Sequence, residues 1–153
     1  LHYANYSFVF VHCFISECPV NLQNYASFEG VCYFIDTTQR TRGEAKSNCE
    51  SNHGKLWEPK TINRMNELDA KVNSLVKGKN WWIGITDIAS EGTYTFDSNG
   101  YNLPFPDKTF PWGPVEPNGG TYENCVIMNF KTNPIELADV YCQRKHMSIC
   151  ERV

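Results

Sequence analysis

The sequence predicts an α+β fold, as one domain with an N-terminal extension. Two segments with helical patterns come first in the domain, and strand-like segments interrupted by one long irregular stretch follow them. Helices and strands segregated in this way are typical of α+β proteins. The length of 153 residues is enough for one domain with a sizeable core, and no internal repeat or second domain is evident.

The extension is predicted to cover residues 1–17 and the domain residues 18–153. The extension is aromatic and poor in charge, and its apolar run at residues 8–15 has strand character but is too short to span a bilayer. The domain begins near Cys18, and β-branched and aromatic residues predict its first strand at residues 31–35.

The first helix is predicted to begin after Thr41. Thr41 and Glu44 have the spacing of a capping box, in which each side chain satisfies an otherwise unpaired backbone amide. Ala45 and Cys49 then lie four residues apart on one face, and Gly54 is the expected end.

The second helix has the clearer pattern, because its apolar residues repeat every three or four positions. Gly78 is expected to end it. The stripe predicts a helix packed on the core and consists of Ile62, Met65, Leu68, Val72, Leu75 and Val76.

Beyond the second helix the pattern changes to strands. Residues 81–85 predict a buried strand and residues 93–96 a short one, and strand character returns at residues 125–130 and 147–150. Between them, residues 97–122 are rich in Pro, Gly, Asn and aromatic residues. A loop of this length is uncommon unless it has a function, so we expect the functional site there.

Charge and motifs exclude several classes of function. The 17 acidic and 14 basic residues include no Lys/Arg cluster, which argues against nucleic-acid binding, and no basic amphipathic helix predicts membrane contact. The sequence contains no G-x-S-x-G, no H-E-x-x-H and no phosphate-binding glycine loop, and its four histidines share no ligand-like spacing. We therefore expect no enzyme activity.

Seven cysteines in 153 residues predict disulfides in an oxidising compartment, because no C-x-x-C pair suggests a zinc site. The odd number leaves at least one cysteine without a partner in the chain, as a buried free thiol or in an interchain bridge. The sequon at Asn5 also suits a secreted protein, and we expect a signal peptide to have been removed before Leu1.

Oxygen-bearing side chains are gathered in and after the long loop. Glu116-Pro117-Asn118 is followed by Glu123, and Asp139 lies further along the chain. Calcium takes about six to eight hard oxygen ligands and tolerates irregular geometry. Scattered loop acids are more often simply solvated, so spacing alone leaves both interpretations open.

Many short motifs follow one another between residues 18 and 151. They are Phe28-Glu29-Gly30-Val31-Cys32-Tyr33, Glu44-Ala45 before Cys49, Trp82-Ile83-Gly84-Ile85, Glu91-Gly92, Trp112, Glu116-Pro117-Asn118, Glu123-Asn124-Cys125-Val126 and Ile149-Cys150-Glu151. In this order they resemble the C-type lectin domain. The resemblance implies that family's α+β fold, in which two helices flank small antiparallel sheets with a long ligand-binding loop.

The resemblance also implies three disulfides inside the domain. The implied pairs are Cys49 with Cys150, Cys125 with Cys142, and Cys18 with Cys32, the last closing an N-terminal hairpin. Cys13 in the extension is left over. We expect it to link two chains into a homo- or heterodimer.

A calcium site that binds sugar is implied as well. Glu116, Asn118, Glu123 and Asp139 match the family's ligands, and two neighbouring sugar hydroxyls would complete the shell. The family also implies a cis bond before Pro117. Its Glu-Pro-Asn motif accompanies equatorial hydroxyls, as in mannose, glucose and GlcNAc.

One departure from the family's pattern weakens this expectation. The family's Trp-Asn-Asp triplet is here Leu137-Ala138-Asp139, and Ala138 offers neither a calcium ligand nor a donor to the sugar. A charge-assisted hydrogen bond is worth about 1.5–3 kcal/mol, so its loss would weaken sugar binding roughly tenfold or more.

A second calcium site, found in some members, would use Asp87, Glu91 and Glu123. Gly119 and Asn124 stand where acids are common in the family, so this site is expected to be weaker still.

Aromatic residues near the site offer compensation, because a ring can pack on a sugar or on an acetamido methyl group. Tyr122, Phe110 and Trp112 lie close in sequence, but Trp112 belongs to the core in the family, so Tyr122 is the preferred candidate. Such a contact would favour N-acetylated sugars.

Two functions follow from this pattern. The first is a secreted lectin that binds mannose- or GlcNAc-type sugars at a calcium site weakened by Ala138. The second is a lectin-like domain that binds a protein instead, or that binds sugar without essential calcium.

Overall fold

The computed structural model describes residues 25–28, 31–72, 78–100, 103, 110–129, 131–132 and 134–152, with the backbone alone at residues 25–28, 71 and 72. Its elements, in chain order, are β1 (Tyr25–Phe28), β2 (Val31–Arg40), α1 (Arg42–Ser51), β3 (Gly54–Leu56), α2 (Ile62–Val72), β4 (Asn80–Thr86), β5 (Thr95–Phe96), a 3-10 turn (Gly120–Tyr122), β6 (Cys125–Asn129), β7 (Glu136–Val140) and β8 (His146–Arg152).

The described strands form one mixed sheet. Its order is β1-β2-β8-β4-β6-β7, with β3 paired to β8 and β5 paired to β4. β4 and β8 run parallel, and the other pairs are antiparallel. Two helices with this sheet confirm the α+β prediction.

Strand β4 contains five consecutive buried residues. Trp81, Ile83 and Ile85 belong to one core cluster and Trp82 to a second, as the alternation of side chains along a strand requires. All four are 0% exposed. Residues of α2 join the first cluster and residues of α1 the second. The predicted buried strand therefore lies between the two core clusters and packs against both.

Helix α1 begins as predicted but ends earlier. Thr41 is the N-cap, and its side chain and that of Glu44 satisfy each other's backbone N–H in a capping box. The helix ends at Ser51, and His53 adopts a positive φ of 58°. Gly54 is therefore not the end of the helix but the first residue of β3. A β-carbon there would lie 2.5 Å from the carbonyl oxygen of Glu151, so the pairing of β3 with β8 requires glycine.

Strand β7 has no counterpart among the predicted elements. It spans Glu136–Val140 and pairs antiparallel with β6, with Ile127 opposite Ala138 and Val126 opposite Asp139. The segment is short and lacks a run of β-branched residues, so this pairing, not local propensity, makes it a strand. β7 carries Asp139 to the edge of the long loop.

Two of the implied disulfides are present. Cys49 joins Cys150, which ties α1 to β8, and Cys125 at the start of β6 joins Cys142 just beyond the end of β7. Cys32 is also disulfide-bonded. Its implied partner, Cys18, lies outside the described residues.

Other predictions concern residues that the structure does not describe. These are the extension at residues 1–17 with its strand and Cys13, the domain boundary at Cys18, and the end of α2 at Leu75 and Val76. None of the described helices is long and apolar enough to cross a membrane.

Candidate functional site

The long loop is attached to the first residues of β7. The backbone N–H of Leu137 donates to the carbonyl of Pro111 at 2.7 Å, and the N–H of Gly113 donates to the carbonyl of Leu137 at 3.0 Å. The Glu116–Pro117 peptide bond is cis, as the resemblance implies. The loop therefore passes directly over the strand that holds Asp139.

Asp139 is the most fully bonded carboxylate of the candidate site. It is 3% exposed. One oxygen accepts from the backbone N–H of Asn118 at 3.0 Å, and the other accepts from the N–H of Gly119 at 3.0 Å and from the Tyr94 hydroxyl at 3.1 Å. The sequence predicted Asp139 as a calcium ligand, but here its carboxylate binds the loop backbone.

Tyr94 is a site residue that no sequence pattern indicated. Its ring is 2% exposed and lies against Trp112 with ring centroids 4.9 Å apart. Burial, and then the charges of Asp139 and Asp87, raise the pKa of its hydroxyl. The hydroxyl therefore stays protonated and donates to Asp139 at neutral pH.

Glu116 is the carboxyl group of the candidate site whose pKa is raised to about 7. Its burial and the neighbouring carboxylates of Asp139 and Glu123 raise its pKa to about 7, while the Asn118 side chain lowers it. Glu116 Oε2 is buried and has no hydrogen-bond partner among the described residues. Such an oxygen is costly unless a proton or a cation satisfies it.

Glu123 lies beside Gly119, which occupies a loop position where acids are common in the family. A β-carbon on Gly119 would overlap the side chain of Glu123. On its other side, Glu123 is 3.7 Å from the guanidinium of Arg144, which is itself 58% exposed. Arg144 was not predicted, because nothing in its position in the sequence places it near Glu123.

Asp87 and Glu91 of the possible second metal site lie near Asp139. Asp87 is 1% exposed, and its Oδ2 accepts from the N–H of Gly92 at 2.9 Å. Its Oδ1 is buried and has no hydrogen-bond partner within the described parts of the chain. Partial desolvation and the charges of Asp87 and Asp139 raise the pKa of Glu91. Negative charge thus extends from Glu91 through Asp139 to Glu116.

Ala138 lies on the opposite face of β7 from Asp139. Its side chain packs, half-buried, against the second core cluster, to which Ile127 and Val140 belong. The short methyl group therefore contributes to packing and carries no ligand atom.

The predicted aromatic contacts separate into buried and exposed rings. Tyr122 is 80% exposed, whereas Phe110 is 7% exposed and belongs to the first core cluster, with Trp112 packed partly buried against it. Phe110 and Trp112 are therefore core residues, and Tyr122 is left as the ring available to a ligand. Other exposed apolar side chains, which no sequence motif indicated, are Ile88, Val115 and Tyr141.

The chemistry of these residues fits a calcium ion, although their arrangement is not that of a finished site. The buried, unpaired oxygen of Glu116 and the adjacent charge of Glu123 would both be satisfied by a cation. Among the described residues, however, no three His, Cys, Asp or Glu side chains are gathered closely enough to hold a metal ion. The carboxylates would have to converge for a cation to bind.

Comparison with known proteins gives one consistent family. The model of the C-type lectin domain matches residues 38–152. Human C-type lectin domain family 3 member A is 31% identical over 121 residues, covering 78% of this chain and 58% of the relative. A tetranectin-like protein of Carcharhinus perezii is 30% identical, covering 78% of this chain and 69% of the relative.

A solved structure agrees with this family. The C-type carbohydrate-recognition domain of cow CD23, determined in the presence of a GlcNAc2Man3 oligosaccharide, has a TM-score of 0.70 and 25% identity, covering 89% of this chain and 98% of that one. The chain spans only 41%, 60% and 58% of three curated relatives it matches.

Proposed function

Because the chain belongs to the C-type lectin domain family, a family of carbohydrate-binding lectins, we propose that it is a secreted lectin that binds mannose- or GlcNAc-type sugars at the long loop. The proposed contacts are Glu116, Asn118, Glu123 and Tyr122. The disulfides support secretion, because disulfides persist in oxidising compartments.

The observation that carries this proposal is the state of Glu116. Its carboxylate is part-buried beside Asp139 and Glu123, and its Oε2 has no described hydrogen-bond partner. A carboxylate in this state accepts strongly from a hydroxyl, and the side-chain amide of Asn118 can donate to the adjacent hydroxyl. Two neighbouring equatorial hydroxyls supply this pair of contacts, whereas an axial 4-hydroxyl directs one of them away.

Calcium is proposed as a weakly bound partner of this site. Glu116, Asn118, Glu123 and Asp139 would hold it. When bound, the ion would supply coordination positions that two sugar hydroxyls complete. Ala138 provides no ligand, and the amides of Asn118 and Gly119 already occupy the oxygens of Asp139, so we expect a lower affinity than a complete ligand set would give. The second site at Asp87 and Glu91 is proposed as weaker still.

A preference for N-acetylated sugars is proposed from Tyr122. Its ring is 80% exposed in the turn just before Glu123, where it can pack on an acetamido methyl group. The oligosaccharide present with the related cow domain contains GlcNAc and mannose, which supports testing both sugars.

Affinity chromatography on immobilised mannose and GlcNAc tests this proposal. We expect retention and elution by the free sugar, with galactose ineffective. Glu116→Gln should abolish retention, and Glu50→Gln, on the exposed face of α1, should leave it unchanged. An EDTA wash tests the role of calcium separately. Elution by EDTA would support a calcium-dependent site, and continued retention would mean that the protein binds sugar without essential metal. Failure to bind any glycan on an array would contradict the proposal.

A lectin-like domain that binds protein is the second candidate. Val115, Tyr122 and Tyr141 are 73%, 80% and 53% exposed, and they would serve as protein contacts if they formed one contiguous apolar patch. Ala138 supports this candidate, because it removes a sugar donor. The glycan array distinguishes the two, since a protein-binding domain would be silent on it. We propose no catalytic activity and no nucleic-acid or membrane partner.

A disulfide-linked dimer through Cys13 is also proposed, with an identical or a different partner chain. Two sites in one molecule would raise avidity for clustered glycans. Migration at dimer size on a non-reducing gel, and at monomer size for Cys13→Ser, would support it. Monomer migration of the unmodified protein without reductant would contradict it.

A further inference from the structure

Two segments that are distant from Asp139 in the chain meet at its carboxylate. Tyr94, just before β5, lies 45 residues away, and Asn118 and Gly119 of the long loop lie 21 and 20 residues away. The Tyr94 hydroxyl and the Gly119 amide share the same oxygen, Oδ2. The orientation of this carboxylate therefore determines where the loop backbone lies.

The position of the Tyr94 hydroxyl is fixed from several sides. The ring is 2% exposed in the first core cluster, in contact with Trp112, and the backbone carbonyl of Tyr94 accepts from the N–H of Leu103 at 2.7 Å. Because packing fixes the ring, the hydroxyl is a preorganised donor. It holds one oxygen of Asp139, which leaves the second oxygen directed at Asn118.

We propose that Tyr94 is a positioning residue of the loop site, which holds the Asp139 carboxylate on the amides of Asn118 and Gly119 and so orders this segment without a bound cation. Backbone N–H groups that donate to a buried carboxylate make stronger hydrogen bonds than those that donate to a neutral carbonyl. Asp139 thus acts through the backbone of the loop, and Asn118 is presented to ligand before any ligand arrives.

The benefit of this ordered segment for sugar binding rests on the proposed function, but the ordering of the segment by Tyr94 and Asp139 does not. A loop that is already ordered loses less conformational freedom when a ligand binds. The chain lacks some of the family's metal ligands, above all at Ala138, so calcium alone would order this loop less firmly. An arrangement that orders the loop without calcium is therefore useful.

Amide hydrogen exchange measured by NMR on the sugar-free protein in EDTA tests the proposal. Tyr94→Phe removes the hydroxyl and keeps the ring. We expect the Asn118 and Gly119 amides to exchange at least about tenfold faster, the factor that corresponds to a hydrogen bond to a charged group. The Leu103 amide, which donates to the Tyr94 carbonyl, should stay protected and reports that the fold is intact.

Tyr33→Phe is the matched control, since Tyr33 is 4% exposed in the same core cluster. It should leave the Asn118 and Gly119 amides unchanged. If Tyr94→Phe fails to fold, Asp139→Asn carries the same expectation for the two loop amides. Unchanged exchange of both amides in Tyr94→Phe or in Asp139→Asn, with Leu103 protected, would overturn the proposal. The exchange experiment contains no sugar or calcium. A failure of the protein to bind the sugar column would therefore contradict the proposed function but not the role of Tyr94.

Discussion

Gly119 and Glu123 share a space that leaves no room for a β-carbon at residue 119. A carbon built there would overlap the Cβ and Cγ atoms of Glu123. By sequence, Gly119 is a lost acidic ligand. In the structure it is the residue that allows the Glu123 side chain to lie back over the loop, towards Glu116, whose pKa the Glu123 charge helps to raise.

Gly119→Ala is expected to displace Glu123 and to weaken sugar binding about tenfold, the lower end of what one hydrogen bond to a charged group provides. Isothermal titration with GlcNAc measures this. Gly43→Ala is the control, because a β-carbon at Gly43 meets nothing within 4 Å. Equal sugar affinity in Gly119→Ala and the unmodified protein would contradict the role given to Gly119.

Glu116 should make the stability of the cation-free protein depend on pH. Its pKa is raised from 4.5 to about 7 in the folded state, so the folded protein binds this proton more tightly than the unfolded chain does. The stabilisation is complete below pH 4.5 and is lost as the pH rises through about 7.

Thermal melts in EDTA check this pH dependence. Glu116→Gln should flatten the decline in melting temperature between pH 5 and pH 8, a range of about three units that spans the shifted pKa. The same proton competes with a cation, so calcium affinity should rise across this range. Parallel melting curves for the unmodified protein and Glu116→Gln would show that Glu116 does not titrate as described.

Tyr122→Ala is expected to weaken GlcNAc binding about two- to tenfold, since aromatic contacts contribute roughly 0.5–1.5 kcal/mol beyond the area they bury. Its effect on the free energy of unfolding should stay within about 0.5 kcal/mol, because the ring is 80% exposed. Sugar titration and urea unfolding measure the two effects. Tyr141→Ala, at 53% exposure, should leave sugar affinity unchanged, and a loss of similar size there would argue against a specific contact.

The two described disulfides should contribute unequally to stability. Cys49 and Cys150 are 101 residues apart, and Cys125 and Cys142 are 17 apart. In the chain-entropy model the longer loop contributes about 4.7 kcal/mol and the shorter about 3 kcal/mol. Urea unfolding of the two double-serine variants should show the larger loss for Cys49 and Cys150. The reverse order would mean that unfolded-state entropy does not dominate.

Local sequence patterns predicted the elements that carry a clear pattern of their own. The capping box of Thr41 and Glu44 marked the start of α1, and the run of apolar residues from Trp81 marked β4. β7 was not predicted, because Leu137-Ala138-Asp139 becomes a strand only through its pairing with β6. The end of α1 was placed too late, since the chain reverses at His53 instead of at a glycine.

The candidate site was predictable as a set of residues but not as an arrangement. The motif resemblance gave Glu116, Asn118 and Asp139. It could not show that Asp139 binds the loop amides and Tyr94, because those contacts join residues 20 to 45 positions apart. The burial of Phe110 was equally inaccessible, since its neighbours in the core come from other segments.

Sugar titration of the unmodified protein and of Glu116→Gln, each with calcium and with EDTA, shows whether Glu116 belongs to a carbohydrate site. We expect GlcNAc or mannose to bind the unmodified protein, more tightly with calcium, and Glu116→Gln to bind neither sugar under either condition. Equal binding by the two proteins, or no binding of any sugar by the unmodified protein, would contradict a carbohydrate site at Glu116.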